Sequence, residues 1–139
     1  MTWKDIALSE RKGLLTVRHG KGAKHRQVPL NHDARAALAT LGYPQQAGQG
    51  AAILQGQRGP MTSRGVQSLL AKYEPLAGLD DLSPHALRHT FCKNLIDAGV
   101  GLEQVAALAG HESLETTRRY CTPSRLDLER AVERIGEGE

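Results

Sequence analysis

The pattern of apolar and polar positions near the start of the chain predicts a β-hairpin. Two short runs, LLTVR (14–18) and RQVPL (26–30), are rich in aliphatic and β-branched residues, which favour strands. Between them lies HGKGAKH (19–25), whose two glycines permit a tight reversal of the chain. Pro29 has no backbone N–H, so we expect the second strand at a sheet edge or Pro29 at a strand end. The hairpin therefore carries a basic tip.

After residue 30 the apolar spacing lengthens to the spacing that is typical of helices. A first helix is predicted over 34–41, with Asn31 or Asp33 as its N-cap and Gly42 as its stop. A loop rich in glycine and glutamine follows over 43–52.

Two longer helices follow, and each has a recognisable start signal. One begins at Thr62 or Ser63 and is predicted to end before Pro75. The other begins with Ser83–Pro84. Serine is a favoured N-cap, and the N–H that proline lacks would have no partner within the helix at the first helical position. This helix runs to about Ala98. Its predicted buried face consists of Leu87, Phe91, Leu95 and Ile96.

Three shorter helical segments complete the chain. The first covers 102–108 and ends at Gly110, the second is capped by Ser113, and the third follows Thr122–Pro123 with apolar spacing to residue 135. Together the elements predict an α+β, mostly helical fold. A small N-terminal antiparallel sheet would pack on a bundle of about five to six helices.

We interpret the chain as a single partial domain. A sheet with the basic hairpin occupies 1–30, a helical body occupies 31–135, and 136–139 form a short tail. The opening residues MTWKDIALSER are typical of the middle of an element, so we expect a chain that is cut short at its N-terminus. Three of their side chains favour burial: Trp3, Ile6 and Leu8.

Composition and charge narrow the classes of function. The hydrophobic share of 40% and the charged share of 24% are those of a globular protein. The net charge is +3, but residues 1–30 hold seven Lys or Arg against two acidic residues, whereas residues 121–139 have a net charge of −2. A basic N-terminal segment suits a polyanion such as nucleic acid, and a solvated basic face is the alternative.

The cysteines and the hydropathy indicate a reduced, cytoplasmic protein. Cys92 and Cys121 have no metal-type spacing with the histidines. No apolar run approaches the ~20 residues of a transmembrane helix, and the N-terminus has no signal-peptide core, so we expect no membrane association. Cys92 follows Phe91 on a helix that needs a buried face, so we expect a small buried hydrophobe rather than a nucleophile.

The segment SPHALRHTF (83–91) places His85, Arg88 and His89 on one helix face. Positively charged side chains that share one helix face repel each other and destabilise the helix unless an anion lies opposite them. Phosphate fits best, because the N–H groups of a first helical turn attract anions and arginine can bind two phosphate oxygens. A metal held by the histidines, His111 included, is disfavoured, since no carboxylate or thiolate stands at a standard spacing.

A second histidine and a tyrosine extend this candidate phosphate site. His111 stands at another helix start, and Tyr120 lies nine residues beyond it. A tyrosine that converges on one phosphate with an arginine and two histidines is a candidate nucleophile.

Three segments together resemble the catalytic domain of tyrosine recombinases, the phage-integrase family. They are VRHGKGAKHRQVPL (17–30), HALRHTF (85–91) and LAGHESLETTRRY (108–120). Their order is that of the family: a lysine on a β-hairpin, then H-x-x-R, then L-x-G-H, then tyrosine. The consecutive intervals are 3 residues from His85 to Arg88, 23 from Arg88 to His111 and 9 from His111 to Tyr120, all within the family's pattern. The similarity covers the chain from about Trp3 to Ile135, and it implies a bacterial or phage origin.

The resemblance implies a role for each motif residue. Tyr120 would attack the scissile phosphate and form a 3′-phosphotyrosyl link. Arg88 would bind the nonbridging oxygens, and His111 would donate a further hydrogen bond to them. His85 would act in proton transfer near the tyrosine hydroxyl, and Lys21 would protonate the 5′-oxygen leaving group. No metal or other cofactor is implied.

Double-stranded DNA is the partner that the resemblance implies. Four basic residues are candidates for contacts with its backbone: Lys24, Arg26, Arg118 and Arg119. For the last two, a solvated face is an equal alternative. His89 is outside the family's catalytic positions, and we expect it to pack or hydrogen-bond within the fold. The amphipathic residues 123–135 fit docking on a neighbouring protomer in a homo-oligomer on DNA, or docking on the same chain.

One part of the family's pattern is missing from the sequence. The family has another catalytic arginine, in a segment of type G-L-R-x-x-E-L before the stretch that corresponds to Trp3–Ile6, and Arg11 lies in the wrong place to replace it. Losing one of two phosphate-binding arginines removes on the order of several kcal/mol of transition-state stabilisation. We therefore expect a fragment with little or no cleavage activity. The alternatives are a non-catalytic DNA-binding remnant or regulatory module of a mobile element, and a helical interaction domain.

Overall fold

The computed structural model describes residues 1–18, 25–43, 45, 48–123 and 125–136. Contacts divide the chain into two compact units, Met1–Leu87 and Arg88–Glu139. The helices and the small antiparallel sheet of the described residues confirm the predicted α+β, mostly helical class. No helix in those ranges is long and apolar enough to cross a lipid bilayer. The interpretation of 1–139 as one domain stays a prediction.

A three-stranded antiparallel sheet opens the first unit. Its strands β1 (Ile6–Leu8), β2 (Gly13–Val17) and β3 (Arg26–Pro29) lie in the order β1-β2-β3. Strands β2 and β3 form the predicted hairpin, with Leu14 opposite Pro29. Strand β3 lies at a sheet edge, which confirms the expectation drawn from its proline. Strand β1 is missing from the sequence-based prediction, because three residues are too few to show a strand alternation.

A small apolar core lies against this sheet. Trp3, Ile6 and Ile53 are buried, which confirms the expected burial of the first two. The partly buried side chains around them are Leu8, Leu15, Leu38 and Tyr43. The Tyr43 hydroxyl accepts a hydrogen bond from the N–H of Leu8 at 3.1 Å and lies 3.2 Å from the Leu8 carbonyl, to which it can donate. A side chain therefore satisfies backbone groups of the edge strand β1.

Asp5 ties the N-terminal segment to the end of β2. Its buried carboxylate accepts hydrogen bonds from the N–H of Thr2 at 2.8 Å, from the Thr2 hydroxyl at 3.0 Å and from Nε of Arg18. The hydrogen bond from the Thr2 backbone, followed by that from Arg18, lowers the pKa of Asp5 from 3.8 to about 2, although burial acts in the opposite direction. The charged form of the carboxylate is therefore the one that the fold stabilises.

The variant Asp5→Asn is expected to lower the free energy of unfolding by about 1–2 kcal/mol at neutral pH, the usual range for a charged hydrogen bond with one half-exposed partner. Because folding lowers the pKa of Asp5, this stabilisation is fully present above pH 3.8 and is lost as the pH falls through about 2. Urea unfolding at neutral and acidic pH measures the difference. The exposed Asp80→Asn is the control, and equal stability of the two variants at neutral pH would contradict the prediction.

Helix α1 (His32–Leu41) begins and ends at local signals in the sequence. The side chain of Asn31 accepts a hydrogen bond from the N–H of Ala34 at 2.9 Å, so Asn31 rather than Asp33 is the N-cap. Gly42 ends the helix with a φ of 127°, a conformation that favours glycine.

A short antiparallel pair precedes the next helix and is formed by β4 (Gln55–Gly56) and β5 (Gly59–Pro60). Helix α2 (Ser63–Ala77) begins at Thr62, whose side chain caps it, but the predicted end before Pro75 is wrong. Pro75 removes one hydrogen bond to the carbonyl four residues before it, and the helix ends two residues after it. Gly78, in the left-handed conformation, then closes the last turn through its N–H.

Helix α3 begins in the first unit and continues into the second, which holds three shorter helices. Their bounds are α3 (Pro84–Asp97), α4 (Leu102–Ala109), α5 (Leu114–Arg118) and α6 (Arg125–Gly136). The predicted caps are confirmed, because Ser83 accepts from the N–H of Ala86 at 3.1 Å and Ser113 accepts from the N–H of Glu115 at 3.2 Å. Pro123 itself is not helical, so Thr122–Pro123 does not form the first turn of helix α6.

A second apolar core lies within the second unit. Cys92, Val105 and Ala109 are buried, and the partly buried side chains around them are Leu95, Ile96, Val100 and Tyr120. The predicted buried face of α3 is wrong for Leu87 and Phe91, which are 50% and 41% exposed. Cys92 marks the centre of the buried face, and the residue before it lies about 100° around the helix.

Candidate active site

Arg88 is bound to the end of helix α4. Its Nη2 donates a hydrogen bond to the carbonyl of Ala109, the last residue of that helix. Carbonyls at a helix C-terminus lack partners within the helix and carry the negative end of its dipole, so a guanidinium is favoured there. A guanidinium has five N–H donors in one plane, and one such bond is compatible with bidentate binding of an anion.

His111 follows α4 and lies beside this anchor. Gly110 ends the helix in the left-handed conformation, with a φ of 71°, and the N–H of His111 returns to the carbonyl of Ala106 at 2.9 Å. The backbone thereby places the imidazole two residues after the carbonyl that binds Arg88. Nδ1 of His111 lies 2.8 Å from Oγ1 of Thr117.

Tyr120 lies in a turn just beyond α5. Its backbone N–H donates to the carbonyl of Thr117 at 3.0 Å, and its half-buried ring packs against the core of the second unit. The ring centroid lies 6.2 Å from that of His111, with the two planes 5° apart. The candidate nucleophile and a candidate phosphate-binding group are therefore neighbours in the fold.

His89 also contacts Tyr120. The two ring centroids are 4.7 Å apart and the planes meet at 62°, an edge-to-face arrangement. The sequence predicts packing within the fold for His89 but gives no signal for this partner, because the contact joins residues of two different elements. His89 is therefore part of the setting of the candidate nucleophile, although the family's motif assigns it no catalytic role.

The predicted site residues are brought together only in part. Arg88, His111 and Tyr120 lie in the second unit. His85 is exposed in the first turn of α3, one helical turn before Arg88 on the same helix. The predicted position of Lys21 on the hairpin tip lies outside the described residues.

Cys92 lacks the properties of an alternative nucleophile. Its side chain has 0% exposure, and burial raises the pKa of its thiol, although Arg88 acts in the opposite direction. Its observed place in the core agrees with the expected role as a small buried hydrophobe. Among the residues that the structure describes, no group of three His, Cys, Asp or Glu side chains is arranged to hold a metal ion.

The four candidate DNA-contacting residues lie in different settings. Lys24 is outside the described residues, and Arg26 begins strand β3 and is half-buried. Arg118 is exposed and lies 3.4 Å from the carboxylate of Glu115, an ion pair of the kind that contributes little to stability. Arg119 is the exposed C-cap of α5.

A chain with this fold and these motif residues falls into a known class. It matches the sequence profile of the Phage integrase family over residues 1–125 and belongs to that family. It is 36% identical over 124 residues to the tyrosine recombinase XerC of Syntrophus aciditrophicus, a match that covers 81% of this chain and 40% of the relative. The tyrosine recombinase XerD of Xanthomonas campestris is 33% identical over 143 aligned positions, which cover 93% of this chain and 44% of the relative. The chain therefore spans less than half the length of these relatives.

Solved structures of recombinases share the fold. The XerH site-specific recombinase, bound to its difH substrate before cleavage, superimposes with a TM-score of 0.73 at 26% identity, over 95% of this chain and 40% of that chain. The XerA recombinase gives a TM-score of 0.74 at 22% identity, over 97% of this chain and 50% of that chain, and this likeness concerns the fold alone.

Proposed function

We propose that this chain is a DNA-binding fragment of the catalytic domain of a site-specific tyrosine recombinase, which breaks and rejoins DNA through a 3′-phosphotyrosyl intermediate. The observation that carries the proposal is the Tyr120 ring, 6.2 Å from the ring of His111, in the same unit as Arg88. The names of the relatives and the DNA-bound state of XerH support it.

In the proposed cleavage step, the Tyr120 hydroxyl oxygen forms a bond to the scissile phosphorus while the bond from phosphorus to the DNA 5′-oxygen breaks. His85 takes up the phenolic proton, and the leaving 5′-oxygen receives a proton from Lys21. Rejoining reverses both transfers. The phosphotyrosyl link conserves the energy of the broken phosphodiester, so neither ATP nor a cofactor enters the balance.

Two groups are assigned to the charge that develops on the phosphate. Arg88 binds the nonbridging oxygens in a bidentate manner, and His111 donates a further hydrogen bond to them. Because Arg88 is bound to the carbonyl two residues before His111, the two donors approach the phosphate from one end of α4. Preorganised donors of this kind stabilise the transition state without reorganisation during the reaction.

We expect the 139-residue polypeptide, tested alone, to cleave DNA poorly. Its sequence contains no G-L-R-x-x-E-L segment, the family's source of another phosphate-binding arginine. The second candidate function is a non-catalytic DNA-binding remnant or regulatory module of a mobile element. Helix α6 exposes apolar side chains at Leu126, Val132 and Ile135, which fits association of copies on DNA.

Salt dependence of DNA binding tests the function that both candidates share. We expect the logarithm of the association constant for a duplex to fall linearly with the logarithm of the salt concentration, because neutralised phosphates release counterions. Lys24→Ala and Arg119→Ala are each expected to reduce the slope by about 1, whereas Lys72→Ala on α2 serves as the control and leaves it unchanged. Fluorescence anisotropy with a labelled duplex measures this. Binding that is absent or independent of salt would favour a helical interaction domain instead.

A further inference from the structure

Thr117 connects two of the candidate catalytic groups of the second unit, His111 and Tyr120. Its side chain is 0% exposed in the last turn of α5. Oγ1 lies 2.8 Å from Nδ1 of His111, and the Thr117 carbonyl accepts the N–H of Tyr120 at 3.0 Å. One buried residue therefore contacts the imidazole through its side chain and the tyrosine through its backbone.

The direction of the Thr117 side-chain hydrogen bond follows from burial. A buried donor without an acceptor is costlier than a lone pair without a donor, so the hydroxyl proton needs an acceptor. Thr40, an exposed helical threonine, lies 3.1 Å from the carbonyl of Ala36, four residues before it. Within the described residues, the hydrogen bond of the Thr117 hydroxyl is made instead to the imidazole of His111.

We propose that Thr117 is a positioning residue that fixes the tautomer and the orientation of His111. Its hydroxyl donates to Nδ1, so the proton of the neutral imidazole is held on Nε2. A neutral histidine in that tautomer donates from Nε2, and donation is what a contact with a nonbridging phosphate oxygen requires. The consequence for phosphate binding rests on the proposed function, whereas the tautomer itself is a property of the folded chain.

Nitrogen NMR of the full 139-residue chain, labelled with ¹⁵N-histidine, tests the proposal without DNA. At a pH where the ring is neutral, we expect the wild-type His111 signals to show an unprotonated Nδ1 and a protonated Nε2, and His111→Gln identifies these signals. Thr117→Val keeps the side-chain shape but lacks the hydroxyl, and it is expected to lose the single tautomer. Thr117→Ser retains a hydroxyl and is expected to restore it.

Each result bears either on the tautomer of His111 or on the proposed function. A wild-type His111 protonated on Nδ1 would overturn the proposal, as would an unchanged tautomer in a folded Thr117→Val chain. If Thr117→Val fails to fold, the wild-type and Thr117→Ser spectra still test the proposal. Both chains contain the hydroxyl donor, so both are expected to show a ring protonated on Nε2. Loss of salt-dependent DNA binding would instead contradict the proposed function and leave the tautomer assignment standing.

Discussion

Tyr120→Phe is expected to abolish covalent attachment of DNA to a chimeric recombinase that carries residues 1–125 of this chain, the range that matches the family. In the chimera these residues replace the matching segment of the XerC relative from Syntrophus aciditrophicus, which supplies the preceding residues. Phenylalanine lacks the oxygen that forms the phosphotyrosyl bond, so the yield of the covalent complex should fall by at least about a thousandfold.

The substitution is informative because it keeps the aromatic ring. Tyr120 contacts His89 and His111 through its aromatic ring. Phenylalanine retains this ring, so packing should change little. The assay uses a nicked suicide duplex and counts protein–DNA complexes that survive denaturing electrophoresis. Tyr73→Phe, the same change at an exposed position of α2, is the matched control and should cleave normally. A covalent complex that persists in Tyr120→Phe would contradict the assignment.

The same assay tests the expected weakness of the 139-residue polypeptide. We expect little or no covalent complex from it, because the additional phosphate-binding arginine of the family is not in its sequence. A yield equal to that of the chimera would show that these residues suffice for cleavage.

The second large effect is expected from Arg88→Ala in the chimera, with a loss of about 10²–10³ in the rate of covalent complex formation. This is the usual loss when one preorganised donor to a developing oxyanion is removed. Arg88→Lys should recover part of the rate, since lysine keeps the charge but cannot bind two oxygens in one plane.

A structural role of Arg88 must be separated from this chemical one. Arg88 also binds the carbonyl of Ala109, so thermal unfolding of each variant is measured beside cleavage. Lys93→Ala is the control, because it removes an exposed cation that pairs with Asp97 on the same helix. If Arg88→Ala were folded and cleaved as fast as Lys93→Ala, Arg88 would not be a phosphate-binding group.

Local signals account for the part of the fold that is predictable from the sequence. The caps at Asn31, Thr62, Ser83 and Ser113 depend on hydrogen bonds within a few residues, and each lies where a short pattern predicts it. Strand β1 is not predicted from the sequence, because it is defined by its hydrogen bonds with β2 and its own three residues show no strand pattern. The exposure of Phe91 is not predicted either. The buried face of a helix is decided by the elements that pack against it, and the local sequence does not show them.

The residues of the candidate site are predictable where their spacing along the chain points to the chemistry. The motif residues Arg88, His111 and Tyr120 follow from the family's intervals, which the sequence displays directly. Neither the edge-to-face contact of His89 with Tyr120 nor the buried hydroxyl of Thr117 has such a signal. Both depend on side chains that meet only after helices α3, α4 and α5 have packed.

The short helix α5 has a consequence for motion in the site. Thr117 holds Tyr120 through its carbonyl and His111 through its hydroxyl, so residues 117–120 cannot shift without breaking or carrying the contact with the imidazole. A displaced tyrosine is therefore accompanied by a displaced histidine. On the proposed function, the position of the nucleophile and the alignment of the phosphate donor would change in one conformational event.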